Sequence, residues 1–127
     1  MSCLPADLRA VMKPITKWTD NIGSSGDTEE KVTAMIDYLP LLAEFEIFGT
    51  RRKANSFEQN HQAQYEYYST GNSKIKYRYS ATSSAAYWWE RSPLYDNGTS
   101  FCHISSKGNS YSAGTRSVYG IAPILLV

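Results

Sequence analysis

The chain is predicted to be one α+β domain, with helices early and sheet late. Three observations carry that prediction. The 127 residues amount to 14.3 kDa, which suits a single hydrophobic core and leaves no room for a second. Helix-like apolar spacing is confined to the part of the chain ahead of Gly71. Beyond Gly71, short apolar runs alternate with stretches rich in Ser, Gly and Asn, which is the grammar of strands and their connections.

Residues 5–12 place Pro5 near a helix start and set Leu8, Val11 and Met12 on one face. Pro14 ends that helix. Residues 15–19 alternate apolar and polar side chains as a strand does, and residues 21–28 form a Gly/Ser/Asp loop. Residues 32–42 are strand-like, with Pro40 demoting the segment to an edge or a broken strand. Residues 57–68 are good helix formers that align Phe57, His61, Tyr65 and Tyr68, and Gly71 stops them. Strands are then expected over 75–79, 85–90, 100–105 and 121–127. The connections 93–100 and 106–120 read as long loops, where binding function concentrates on small scaffolds.

Composition excludes several function classes. A formal net charge of +1 lacks the electrostatic footprint of a general nucleic-acid binder, and Arg51-Arg52-Lys53 is short enough to be a solvated loop. No apolar run is long enough to span a bilayer, and residues 1–7 do not form a signal peptide. The sequon Asn97-Gly98-Thr99 is therefore read as fortuitous. Cys3 and Cys102 lie far apart without a CxxC spacing, and neither His61 nor His103 has a partner at ligand spacing. No disulfide, metal or cofactor is expected. His61 reads as a packing residue on its aromatic stripe, and no Ser-His-Asp or Cys-His set declares itself, so the chain is expected not to be an enzyme.

The strongest signal is a change of composition at residue 94. Codons ending in a pyrimidine cannot encode Lys, Glu, Gln, Met or Trp. Residues 1–93 hold 22 of these, which at uniform composition would put about six in residues 94–119, yet Lys107 stands there alone. Tyr, Ser, Asn, Asp, Thr, His and Gly replace them. Turn-rich segments favour several of these residues for conformational reasons; the sharper reading is a segment diversified at Asn-type codons.

One string makes the second reading concrete. Tyr87-Trp88-Trp89-Glu90-Arg91-Ser92-Pro93 is followed eight residues later by Phe101-Cys102, then by Gly108 and by Gly120-Ile121-Ala122-Pro123. Together with Phe45-Glu46-Ile47-Phe48-Gly49, Gln64-Tyr65-Glu66-Tyr67-Tyr68 and Gly71-Asn72-Ser73, it resembles the C-type lectin-like variable proteins of diversity-generating retroelements over nearly the whole chain. The resemblance implies a C-type lectin-like fold with a small twisted antiparallel sheet, two helices and long irregular loops. It also implies a phage tropism determinant or bacterial surface receptor that displays variable side chains, produced by adenine-directed mutagenesis. Members of that group carry a further segment ahead of the position of Leu4-Pro5, so residues 1–127 are expected to be the C-terminal part of a longer protein.

On this reading residues 94–119 form the ligand-binding region. Its expected contact residues are Leu94, Tyr95, Asp96, Asn97, Gly98, Thr99, Ser100, His103, Ser105, Lys107, Asn109, Tyr111, Ser112, Ala113, Gly114, Arg116, Ser117, Val118 and Tyr119. Tyr gives stiff amphipathic contact area, and Ser, Gly and Asn give adaptable hydrogen bonds, as in antibody paratopes. Tyr95, Asn97, Thr99, His103, Tyr111 and Tyr119 are expected to be accessible on one shared face. Trp88, Trp89, Arg91, Phe101, Cys102 and Gly120 are expected to be scaffold, with Ile104 and Ile121 as further packing residues. That assignment sets Phe101 apart from an exposed row of Thr99, His103 and Ser105.

The expected partner is a protein or glycan on a target cell, bound by a domain on a phage tail or a bacterial surface. A homo-oligomer is compatible with this, a trimer on a phage tail; nucleic acid and membrane insertion are not expected. Two other readings fare worse. A formylglycine-generating-enzyme-like domain needs paired cysteines, and only Cys102 lies in the relevant region. A calcium-dependent sugar-binding lectin needs carboxylate pairs in its loops, and Asp96 is the one acidic residue after Glu90.

Overall fold

The computed structural model describes residues 3–22 and 26–127; residues 23–25 of the expected 21–28 loop lie outside the described residues. The architecture is a small mixed α/β domain in which short helices accompany three separate antiparallel sheets, rather than one sheet. Helix α1 (Ala6–Val11) starts after Pro5 and buries none of its own residues; Met12, just beyond it, is the buried one. Strand β1 (Ile15–Asp20) pairs with β2 (Val32–Asp37) in an unbroken register from Ile15↔Asp37 to Asp20↔Val32. β2 ends before Pro40, the break expected of a residue that cannot donate to a ladder.

Helix α2 (Glu44–Phe48) has no counterpart in the sequence reading, because five residues carry too little periodicity to show. Its ends explain it. Glu46 reaches back to accept from the Ala43 N–H at 2.8 Å, and Gly49 closes the helix at φ +70°. A side chain at Gly49 would also meet Gln64 Oε1 at 2.5 Å, and Gln64 holds the helix through Nε2 to the Ile47 carbonyl.

The helix expected over 57–68 is two pieces, a 3-10 turn Ser56–His61 and helix α3 (Glu66–Ser69). Long-range bonds explain the break. Gln62 Nε2 donates to the Trp18 carbonyl at 2.7 Å, and the Tyr65 N–H donates to the Glu46 carbonyl at 2.9 Å, so the intervening residues are held extended against β1 and α2. His61 consequently leaves the expected aromatic stripe and stacks on Trp18 at 4.1 Å, exposed to solvent.

The second half forms β3 (Lys76–Tyr77), β4 (Ala85–Ala86), β5 (Trp88–Leu94), β6 (Asn97–Ile104) and β7 (Ser110–Gly114). β3 pairs with β4, and β5-β6-β7 form a three-stranded sheet. Both expected long loops are corrected here. The first is a hairpin whose turn is Tyr95-Asp96, and the second contains β7. Residues 121–127 form no strand: they are tied by the Leu126 bridge to Lys13 and by the Ile124 N–H to the Pro40 carbonyl. Ile121, expected in the core, is 71% exposed.

The core is Leu42, Ile47, Tyr68, Trp88 and Ile104. Trp88 satisfies its indole N–H on the Lys74 carbonyl at 3.0 Å, as a buried Trp must. Around this core lies a layer of buried carboxylates, Asp20, Glu44, Glu46, Glu58 and Glu90. Glu44 accepts from the N–H groups of Arg52, Lys53 and Ala54 and from Ser110 Oγ. The loop expected to be merely solvated is thus wrapped around a carboxylate. Glu46 takes Lys17 at 2.7 Å and Arg91 at 3.0 Å. Glu58 accepts from the Asp20 N–H and from Ser92 Oγ, and burial raises its carboxyl from 4.5 to about 7. Burial, then the Glu44 and Glu58 charges, hold Glu90 well above the usual carboxylate range.

Candidate functional site

Strand alternation decides which residues of the three-stranded sheet can meet a ligand. Pairing of β6 with β7 is regular from Ser100↔Gly114 to Ile104↔Ser110, so residues two apart share a face. Cys102 and Ile104 point into the core and are fully buried. Phe101 and His103 therefore lie together on the outer face, which corrects the assignment that separated them. Phe101, partly buried, lines an apolar hollow with Met35, Leu39 and Leu41, and His103 is enclosed by aromatic rings.

The enclosure has a backbone cause. The Gly120 N–H donates to the Tyr87 carbonyl, and the Trp89 N–H donates to the Gly120 carbonyl, both at 2.9 Å. This bridge lays Tyr119 across the sheet, with ring centroids 4.7 Å from His103, 4.8 Å from Trp89 and 5.1 Å from Tyr87. Tyr111, opposite His103 in the register, is half exposed and completes the group at 6.1 Å. His103 is only 5% exposed, not accessible as expected, and burial followed by the Lys53 charge lowers its pKa. The imidazole is thus held neutral at physiological pH, a flat ring whose Nδ1 has no partner among the described residues.

Beside the rings the chain turns through residues 105–109. Gly108 adopts φ +83°, and Ser105 Oγ accepts from the Lys107 and Asn109 N–H groups. Ser105 is buried and its hydroxyl is engaged by the turn, which corrects its expected exposure. Lys107 and Asn109 are thrown outward. Together with Ser106, Ser112 and the Tyr87, His103, Tyr111 and Tyr119 rings, they line a concavity of about 390 Å³. That volume suits a sugar ring or a large peptide side chain.

The other predicted residues fall elsewhere. Asp96, Asn97, Gly98 and Thr99 are exposed at the tip of the β5–β6 hairpin, where Asn97 Oδ1 accepts from the Thr99 N–H and hydroxyl. Six steps along the strand separate Asn97 from His103, about 20 Å, so the single shared face becomes two patches. Leu94 and Tyr95 are half-buried, the latter under the Arg51 guanidinium at 4.5 Å; Ser100, Ala113 and Ser117 are half-buried too. Gly114, Arg116 and Val118 are exposed.

Among the scaffold residues, Trp88 and Cys102 are buried and Trp89 is half-buried in the ring cluster. Arg91 ties β5 to the rest of the fold through Thr19 Oγ1, the carbonyls of Leu41 and Trp18, and Glu46. Gly120 is exposed, with its backbone supplying the bridge. Sequence reasoning missed Tyr87 and Ser106 as lining residues. The signal for Tyr87 was available, because it lies two residues from Trp89 and shares its side of the chain.

Neither the curated proteins nor the solved structures contain a match to this chain. A family model spans residues 1–127, and the chain belongs to that family, a domain of unknown function designated DUF6273.

Proposed function

We propose that the chain is a ligand-display domain of the C-type lectin-like kind, with the outer face of the β5–β6–β7 sheet and the 105–109 turn as its contact surface. The observation that carries this reading is the cluster of Tyr87, Trp89, His103, Tyr111 and Tyr119 beside a polar concavity. Stiff rings with few rotors, flanked by Ser and Asn hydrogen-bonding groups and one lysine, make the chemistry of a paratope. Residues 94–119 are the proposed variable segment, within which the exposed Asp96, Asn97, Lys107, Asn109, Tyr111, Arg116 and Val118 can change without disturbing the core. The proposed ligand is a protein or glycan on a target cell, met by a phage tail or bacterial surface protein.

A binding role also suits the reactive groups. Burial pushes the Cys102 thiol upward, away from the thiolate that a nucleophile needs, and His103 Nδ1 has no hydrogen-bond partner among the described residues. The diversification part is tested in the DNA beside the gene. A near-copy of the codons for residues 87–123, differing mainly at adenines and adjoining a reverse-transcriptase gene, is the expected finding; a genome with neither sinks it. The binding part is tested by titrating fluorescent chain onto a panel of bacterial cells. Tyr111→Ser is expected to weaken any saturable binding by about 2 kcal/mol, roughly thirtyfold, and unchanged binding would remove the concavity from the interface.

A further inference from the structure

Among the described residues five carboxylates are buried, and four of them, Asp20, Glu44, Glu46 and Glu58, have visible compensation; Asp20 accepts from the Ile22 N–H and from Asn55 Nδ2. Glu44 is ringed by backbone N–H groups, Glu46 holds two cations, and Glu58 accepts from the Asp20 N–H and Ser92. Glu90 differs. It is 2% exposed, its two oxygens have no hydrogen-bond partner among the described residues, and the partly buried Lys17 and Arg91 both pair with Glu46. A buried carboxylate without compensation is expensive, and proteins meet that cost by pairing the charge or coordinating a metal. What faces Glu90 is not a cation but two further metal-ligating groups. A Glu44 oxygen, a Glu90 oxygen and Cys102 Sγ all lie within 4.8 Å of one another, and all three residues are buried.

We propose that Glu44, Glu90 and Cys102 form a site for a divalent transition-metal ion of the zinc type, between α2 and the core face of the three-stranded sheet, with three protein donors and the fourth position of the ion left to water. The donor set selects the ion: a thiolate disfavours calcium and magnesium, while two carboxylates and one sulfur suit zinc. Glu44 is already oriented for this by Ser110 Oγ at 2.7 Å and by the Lys53 N–H, the kind of outer support that fixes a ligating carboxylate. Binding expels the Cys102 Sγ proton, and any proton on Glu90, to solvent, leaving three negative donors around a doubly positive ion. With every donor buried, the ion enters as the chain folds and exchanges slowly afterwards. Local spacing could not reveal the site, because its donors come from α2, β5 and β6.

The test begins with the chain unfolded in chelator and refolded with excess zinc or cobalt(II), then freed of loose metal. About one ion per chain by elemental analysis is expected, with a near-ultraviolet sulfur-to-cobalt charge-transfer band in the cobalt form. Cys3→Ser should keep the band, since Cys3 is the other, exposed cysteine. Cys102→Ser should lose it. Glu90→Leu should fold, because it replaces an uncompensated carboxylate with an apolar group, yet bind cobalt more than tenfold more weakly than the wild type. Substoichiometric metal with no band in the wild type overturns the proposal, whatever the variants do. A band that survives Cys102→Ser, or vanishes in Cys3→Ser, overturns it as well.

Discussion

The two faces of the β5–β6–β7 sheet are made by the same three strands and are chemically unlike. The core face carries Trp88, Glu90, Ser92, Cys102, Ile104 and Ser110, all buried, with the polar members drawn into the carboxylate layer. The outer face carries Trp89, His103 and Tyr111, joined by Tyr119, whose rings touch mainly one another and solvent. Because strand neighbours alternate between the faces, one segment can hold the domain together on one side and remain open to change on the other. On the proposed function, stability and recognition are thereby interleaved residue by residue rather than divided between regions.

The largest expected effect comes from breaking the core face. Trp88→Ala empties the centre of the cluster with Leu42, Ile47, Tyr68 and Ile104 and should cost about 3–5 kcal/mol, against a total of about 5–15 kcal/mol for a small domain. The urea midpoint should fall in proportion to that loss, with no change in slope.

The carboxylate layer should make that stability depend on pH. Glu58 holds its proton in the fold up to about pH 7, whereas the unfolded chain releases it near 4.5. Between these values unfolding releases a proton, so stability falls as pH rises. The contribution is whole below about 4.5, and about 3 kcal/mol of it is gone above about 7. Glu58→Gln should remove the Glu58 share of that slope in denaturation curves at pH 5 and pH 8, leaving the share of Glu90, which burial also holds above the usual carboxylate range. An undiminished slope would place the titration elsewhere.

The outer face should answer more weakly, and unevenly. Tyr119 touches three rings and is half-buried, so Tyr119→Ser should cost about 1–2 kcal/mol in thermal melts. Tyr111 is half exposed and opposite His103, so Tyr111→Ser should cost no more than about 0.5 kcal/mol. Equal costs would mean that the ring cluster is a second core.

How much of this was legible in the sequence follows from how local each cause is. α1, β1 and the end of β2 before Pro40 rest on short-range patterns, and their places are close to those read from the residues. α2 depends on Gly49 and on Gln64 from a later segment, and the break at 62–65 depends on Trp18 and Glu46, so neither had a local signal. The turn Tyr95-Asp96 was missed because it lacks the glycine that marks most two-residue hairpins. His103 was misplaced for a different reason. Strand alternation puts residues two apart on the same face, so the reading that set His103 on the opposite face from Phe101 misapplied that period. That Glu44, Glu58 and Glu90 are buried was not legible at all, since their partners are backbone groups and residues brought together only by the fold.

The central claim is that the outward residues beside the ring cluster carry recognition and almost no stability. The most direct measurement is the thermal unfolding of a chain carrying Lys107→Ser, Asn109→Ser and Tyr111→Ser together. All three positions are exposed, and their side chains make no hydrogen bonds to the core among the described residues. The variant should melt cooperatively with a loss of no more than about 1 kcal/mol relative to the wild type. A loss of about 3 kcal/mol or more, comparable to Trp88→Ala, would show that this surface is part of the core and would contradict the account.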